Sequence, residues 1–309
     1  MTGLKDLAHA SREEFTRFVN SFDYVFCDID GTLVLTGAVI PGAQECVSKF
    51  RSQGKRVAYF TNNGFTKIER IRSKLKAFSP GDDDVITPTK SIVLYLKRIK
   101  FDRAIYVIGT PNLVESLREA GFEIASFEPD QIGDADDELW EMRKQCLATR
   151  KTEVGAVIAD VDFKFTLVKA QRAVALLNAA PDVLFLCGAT DDSTSLGDGI
   201  KMVGPKYYVE AIEHLTGRKH TALAKPSVNM KEVLQENFKI TDPRRVLFIG
   251  DSISSDMGFA ANCGFQKLLV LSGTAHRSDV EDWRHLAEHV PDYYVTDIGV
   301  FNELLNKYE

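Results

Sequence analysis

The chain has 309 residues, 44% apolar and 27% charged, with a net charge of −6 at neutral pH. That length exceeds what one hydrophobic core usually supports, so two domains are expected, and the ordinary composition excludes wholesale disorder. The acidic balance gives no electrostatic pull toward nucleic acid or an anionic membrane, and no apolar run reaches the ~18 residues of a membrane span. Residues 1–20 are polar, with Leu4, Leu7, Phe15, Phe18 and Val19 at helical spacing, and lack the apolar core of a secretory signal. Cys27, Cys46, Cys146, Cys187 and Cys263 are scattered without paired spacing, which suits reduced thiols in a cytoplasmic protein.

The first strong element is the apolar run 24–27, which leads directly into Asp28-Ile29-Asp30-Gly31-Thr32. Carboxylates do not belong inside a strand covered on both faces, so Asp28 and Asp30 are placed at its carboxyl end, on the same side by period-two alternation. A helix follows from Pro41-Gly42 to about 53, stopped by Gly54. A second strand over 56–60 ends in Thr61-Asn62-Asn63-Gly64, and a helix over 67–78 carries Lys and Arg on its exposed side. After a turn at 79–84 come a short strand at 85–87 and a helix at 88–99. Strand, helix and strand at 104–109, 113–120 and 122–125 read as a second α/β unit. The acidic stretch 128–141, with Asp130, Asp134, Asp136, Asp137 and Glu138, reads as an exposed loop entering a helix. Strand 154–159, helix 166–180 and strand 183–187 precede a loop of small polar residues, 188–199, and then a helix at 207–215. Lys225-Pro226-Ser227 stands before a strand at 245–249 that ends in Gly250-Asp251, with Asp256 further on. Strands at 268–271 and 293–295 and a helix at 301–306 complete the chain.

Three apolar strands, each ending in residues able to hold phosphate or metal, and one lysine between them make a pattern. D-I-D-G-T, T-N-N, K-P-S and G-D-S-I-S-S-D, in that order, resemble the haloacid dehalogenase-like hydrolases. The wide gap before Lys225 is similar to the branch with NagD-type nucleotide phosphatases, phosphoglycolate and pyridoxal phosphate phosphatases and p-nitrophenylphosphatases. The resemblance covers nearly the whole chain from about residue 22. It implies an α/β fold: a doubly wound, Rossmann-like parallel-sheet core over 1–98 and 206–309, with an α/β cap domain inserted at 99–205. It also implies a Mg²⁺-dependent phosphatase acting on small phosphomonoesters, with a possible homodimer formed through the cap.

In that reading Asp28 is the nucleophile that forms an aspartyl-phosphate, and Asp30 first protonates the leaving group and then activates water. The resemblance implies Mg²⁺ on Asp28, the Asp30 carbonyl and Asp251, with Asp256 behind them. Thr61, Asn62 and Asn63 would cradle the phosphate, and Lys225 would offset the charge of Asp28 and the phosphoryl oxygens. A carboxylate at position 30 points to a phosphatase, or secondarily a phosphomutase, rather than a dehalogenase or P-type ATPase. A response-regulator receiver shares some of this chemistry but is far shorter.

Two departures stand out. Ser252 and Ser254 replace a charged pair of the branch's last motif, and the loop 188–199 lacks the substrate-contacting histidine of pyridoxal phosphate phosphatases. The alternatives left open are a catalytically weakened binding or scaffold protein, in which the altered motif reflects lost turnover, and a phosphoprotein phosphatase. A cap of about a hundred residues argues for small ligands against the latter.

Overall fold

The structure, a computed structural model, describes residues 4–128, 130, 132–133, 137–150, 153–197 and 200–308, leaving aside the side chains of 194–197. Asp134, Asp136 and Asp198 lie outside the described residues. The chain forms two compact units. One gathers the residues up to Thr61, Lys67–Thr87 and the chain from Lys225 onward; the other holds Asn62–Thr66 and Pro88–Ala224. The boundaries 99 and 205 read from sequence fall inside this second unit.

The first unit is built on a six-stranded sheet in the order Tyr293–Val295, Gln266–Val270, Val246–Gly250, Tyr24–Asp28, Arg56–Phe60, Val85–Ile86. Every neighbouring pair is parallel. From Tyr24–Asp28 the chain builds outward through Arg56–Phe60 and Val85–Ile86. When it re-enters this unit it builds the other way through Val246–Gly250, Gln266–Val270 and Tyr293–Val295. The reversal between Tyr24–Asp28 and Val246–Gly250 is a topological switch point, which leaves a crevice at the carboxyl ends of those strands.

Alternation along the strands sorts two faces. Val25, Cys27, Val57, Tyr59, Leu247 and Ile249 enter a core shared with helices Arg12–Val19, Ala43–Ser52 and Ile298–Tyr308. Phe26, Phe60 and Phe248 point the other way and pack on Phe238, Phe259 and Phe265. Both faces are covered, as near-continuous apolar strands require. Cys27 therefore lies in packing, on the face opposite Phe26 and Asp28. The helix read over 67–78 is broken into Ile68–Lys74 and a tighter turn, Lys76–Phe78, which brings both Leu75 and Phe78 into the core.

The second unit has four parallel strands in the order Thr221–Ala222, Leu184–Cys187, Val154–Ala159, Ala104–Ile108. Val154–Ala159 is buried along its whole length. The strand expected at 122–125 contributes only an isolated bridge, Ile124 to Ile105. Conversely, the stretch read as a loop at 188–199 contains the strand Ser193–Gly197, paired antiparallel with Ile200–Val203. Ser and Thr alternate there without an apolar face, so periodicity carried no sign of it. Among the described residues no helix is long and apolar enough to cross a membrane.

Candidate active site

Asp28 closes its strand beside two others that end level with it: Asp28 is in register with Phe60, and Cys27 with Ile249. Thr61 and Gly250-Asp251 therefore begin where Asp28 ends. Asp28, Asp251 and Asp256 each bring a carboxylate oxygen within 4.8 Å of the others. All three are buried, Asp256 to 1% exposure. Lys225, also buried, donates from Nζ to Asp28 Oδ1 at 2.5 Å and to Asp256 Oδ1 at 2.6 Å.

Local backbone geometry holds these groups. Asp256 lies on a π-helical turn, Ile253–Met257, and its Oδ2 accepts the Ser252 N–H at 2.9 Å. Asp251 Oδ2 accepts the Thr274 N–H at 2.5 Å. The carboxylates come so close to main chain that two nearby positions exclude a side chain. A Cβ on Gly273 would stand 2.1 Å from Asp251 Oδ2, and one on Gly250 2.4 Å from the Asp256 carboxylate. Gly31, at φ +87°, adopts the left-handed conformation and faces Asp251 in the same way. Ser252, which departs from the charged residue of the related motif, serves as a cap: its Oγ accepts the Ser255 N–H. The serines leave Asp251 and Asp256 in place.

The electrostatics define what the cluster lacks. Burial raises the Asp28 carboxyl well above its usual range; Lys225 opposes this, and Asp256 and Asp251 add to it. Burial and Asp256 raise Asp251 as well, with Thr274 and Lys225 pulling the other way. For Lys225, burial disfavours the ammonium, yet Asp256 and Asp28 outweigh it and hold the charge. Among the described residues, three buried carboxylates stand together and one ammonium bonds two of them, which leaves negative charge unmatched. An oxygen-rich donor set with that excess fits a hard divalent cation such as Mg²⁺.

The other residues named from sequence fall into place differently. Thr61 is buried, and its N–H is taken by the Ile86 carbonyl at 3.1 Å. Asn62 and Asn63 belong to the second unit. There the Asn62 side chain donates to Asp191 Oδ2 at 3.3 Å, and Asn63 Oδ1 accepts the Thr66 N–H at 3.0 Å, an Asx-type turn. Asp30 does not join the three-carboxylate cluster; its side chain is 58% exposed and pairs with Lys74 Nζ.

Two family profiles match the chain: "Haloacid dehalogenase-like hydrolase" over residues 25–123 and its "HAD-hyrolase-like" companion over 222–300. The chain belongs to the haloacid dehalogenase-like hydrolases. Phosphoglycolate phosphatase 1A, chloroplastic, of Arabidopsis thaliana is 27% identical to it over 96% of this chain and 80% of the relative. The 4-nitrophenylphosphatase of Schizosaccharomyces pombe is also 27% identical, over 95% and 98%. Human glycerol-3-phosphate phosphatase is 26% identical over 94% and 92%. Among solved structures, a 4-nitrophenylphosphatase from Thermotoga maritima superposes with a TM-score of 0.74 at 22% identity, covering 92% of this chain and 98% of that one. NagD from E. coli K-12 gives 0.70 at 19%, covering 90% and 98%. The fold and branch are those the motif order resembles.

Within this haloacid dehalogenase-like site, sequence reading did not single out Lys74. In sequence it is one of several basic residues on an exposed helix face, and only the turn of that helix shows which of them reaches Asp30. Asp160, in the second unit, is a further buried acid outside this site. It follows the apolar strand Val154–Ala159 just as Asp28 ends its own, but no partner motif marks it in the sequence.

Proposed function

We propose that this chain is a Mg²⁺-dependent phosphomonoesterase that works through an aspartyl-phosphate on Asp28 and acts on small phosphorylated metabolites. The observation that carries the reading is the convergence of Asp28, Asp251 and Asp256, two of them bonded to Lys225, from segments far apart in sequence. The names of the matched relatives support phosphomonoesters such as phosphoglycolate, glycerol 3-phosphate or 4-nitrophenyl phosphate as the substrate class.

Asp28, Asp251 and the Asp30 carbonyl would hold the ion, with Asp256 beside them. Bound there, Mg²⁺ supplies Lewis-acid stabilisation of phosphoryl oxygens and balances the carboxylate charge. The protein groups do the rest. A carboxylate oxygen of Asp28 attacks phosphorus in line with the ester oxygen. Asp30 delivers a proton to that oxygen as it leaves, then takes one from the water that hydrolyses the acyl phosphate. Lys225 keeps Asp28 oriented and compensates the charge that gathers on the phosphoryl oxygens. Thr61 contributes through its hydroxyl, since its N–H is committed to the sheet, and Asn62 and Asn63 through the turn that follows.

The unit at 88–224 is the cap in this reading, and dimerisation through it follows the family resemblance. A cytoplasmic setting is supported by cysteines that are all free thiols. The test is hydrolysis of 4-nitrophenyl phosphate with Mg²⁺ by the purified protein, and its loss by at least about a thousandfold in Asp28→Asn. A substituted protein as active as the wild type would end the assignment. A panel of alkyl phosphates then ranks the natural substrates.

A further inference from the structure

Asp30 stands on the turn that follows the first strand, where the Gly31 N–H bonds to the Val34 carbonyl and the chain folds back into a short hairpin, Val34–Leu35 with Ala38–Val39. Its exposed carboxylate, which is not one of the three clustered acids, meets Lys74, the last residue of helix Ile68–Lys74. The neighbouring base on this helix, Arg72, is engaged elsewhere, by the Asp82 carbonyl and carboxylate. A basic helix that looks like a solvated surface thus sends one ammonium to the residue assigned to proton transfer.

We propose that Lys74 is a positioning residue for Asp30, fixing the carboxylate at the place where the leaving oxygen departs. The inference rests on the function proposed above. A contact between side chains 32% and 58% exposed adds only about 0–1 kcal/mol to folding. Its consequence lies in orientation. An exposed aspartate samples several rotamers, and an ammonium anchored on a helix selects one. In the first chemical step an Asp28 oxygen forms a bond to phosphorus while the ester P–O bond breaks. The electron pair leaves with the ester oxygen, which takes the proton from Asp30. An alkoxide needs that proton. A 4-nitrophenolate departs without it.

The experiment therefore compares two leaving groups with Mg²⁺ present: 4-nitrophenyl phosphate, and whichever of glycerol phosphate, phosphoglycolate and glucose 6-phosphate the wild type cleaves fastest. The readout is kcat/KM, which reports the steps through departure of the leaving group. Lys74→Met is expected to lower it by roughly ten- to a hundredfold for the alkyl ester and by less than about threefold for the aryl ester. Lys74→Arg should restore most of the alkyl rate, and the thermal midpoint should stay where it is in both variants. Equal losses on the two esters, or no loss on either, overturn the inference while the function stands. So does a wild type that cleaves aryl phosphate alone, because Asp30 then protonates nothing. A wild type that cleaves neither ester overturns the proposed function itself, and the inference with it.

Discussion

Asp251 is held by the Thr274 N–H and crowded by Asp256 and Asp28, with the single ammonium of Lys225 spread between the latter two. The Asp28 and Asp251 carboxylates would be better off neutral or matched by more positive charge, and burial is the leading cause for both. Opposite signs follow for one substitution. Without added metal, Asp251→Asn removes a strained charge, so its thermal midpoint should equal or exceed that of the wild type. With Mg²⁺ at a hundred times its dissociation constant, the wild type should gain about 3 kcal/mol, and the variant should gain little of this. Thermal melts with and without Mg²⁺ read both effects, with no dependence on turnover. A metal-independent wild type would remove the divalent ion from the proposed site.

At the level of strands and turns, the second unit has its own buried acid. Asp160 follows Val154–Ala159; its Oδ1 accepts the Val161 N–H, and its Oδ2 is buried against Gly188 and Gly64 with no hydrogen-bond partner among the described residues. The charged or titratable groups facing it are Asp191, the Cys187 thiol and Tyr208, whose hydroxyl donates to the Asp160 carbonyl. Burial chiefly, with Asp191 adding and the Val161 N–H opposing, pushes its carboxyl up to about 7. Near pH 3 the folded and unfolded chains both keep the proton. Between about 4 and 7 the unfolded chain releases it while the folded chain retains it, so stability from this group falls as pH rises and is gone above 7. Urea unfolding at pH 5 and pH 8 should show a loss on the order of a few kcal/mol that Asp160→Asn abolishes. An unchanged pH dependence in the variant would mean that Asp160 is not the group responsible. The contrast with Asp28 shows how far sequence carried. Strand ends at 28, 61 and 251 were legible because apolar runs stop at polar residues in a known order, and burial does the rest. Asp160 ends an equally apolar run and has no such order around it. The pairing of Lys74 with Asp30, and the glycines that make room for Asp251 and Asp256, depend on which backbones approach one another, which spacing along a chain does not encode.

On the scale of the whole molecule, the units make a claim about which stretch can fold alone. Sequence placed the insertion at 99–205, whereas the compact unit continues from Pro88 to Ala224. The difference is two helices and an edge strand. Helix Pro88–Arg98 buries Ile92 and Leu96, and helix Lys206–Thr216 buries Val209 and Ile212. Val209 and Ile212 lie in one cluster with Tyr106, Val157, Leu176 and Phe185 from the centre of the unit. Strand Thr221–Ala222 covers the Leu184–Cys187 edge of the sheet, and the Leu223 N–H continues the pairing to the Cys187 carbonyl. At about 1.5–3 kcal/mol for each fully buried side chain, the four helix residues alone amount to roughly 6–12 kcal/mol. That is as large as the ~5–15 kcal/mol net stability of an ordinary domain. A fragment of residues 88–224 should therefore unfold cooperatively in urea, and one of residues 99–205 should show no cooperative transition, with its sheet edge and core left open to solvent. Circular dichroism at increasing urea distinguishes them. Cooperative unfolding of the shorter fragment would place the boundary back where the sequence had it, and a non-cooperative longer fragment would mean that this unit depends on the rest of the chain for its fold.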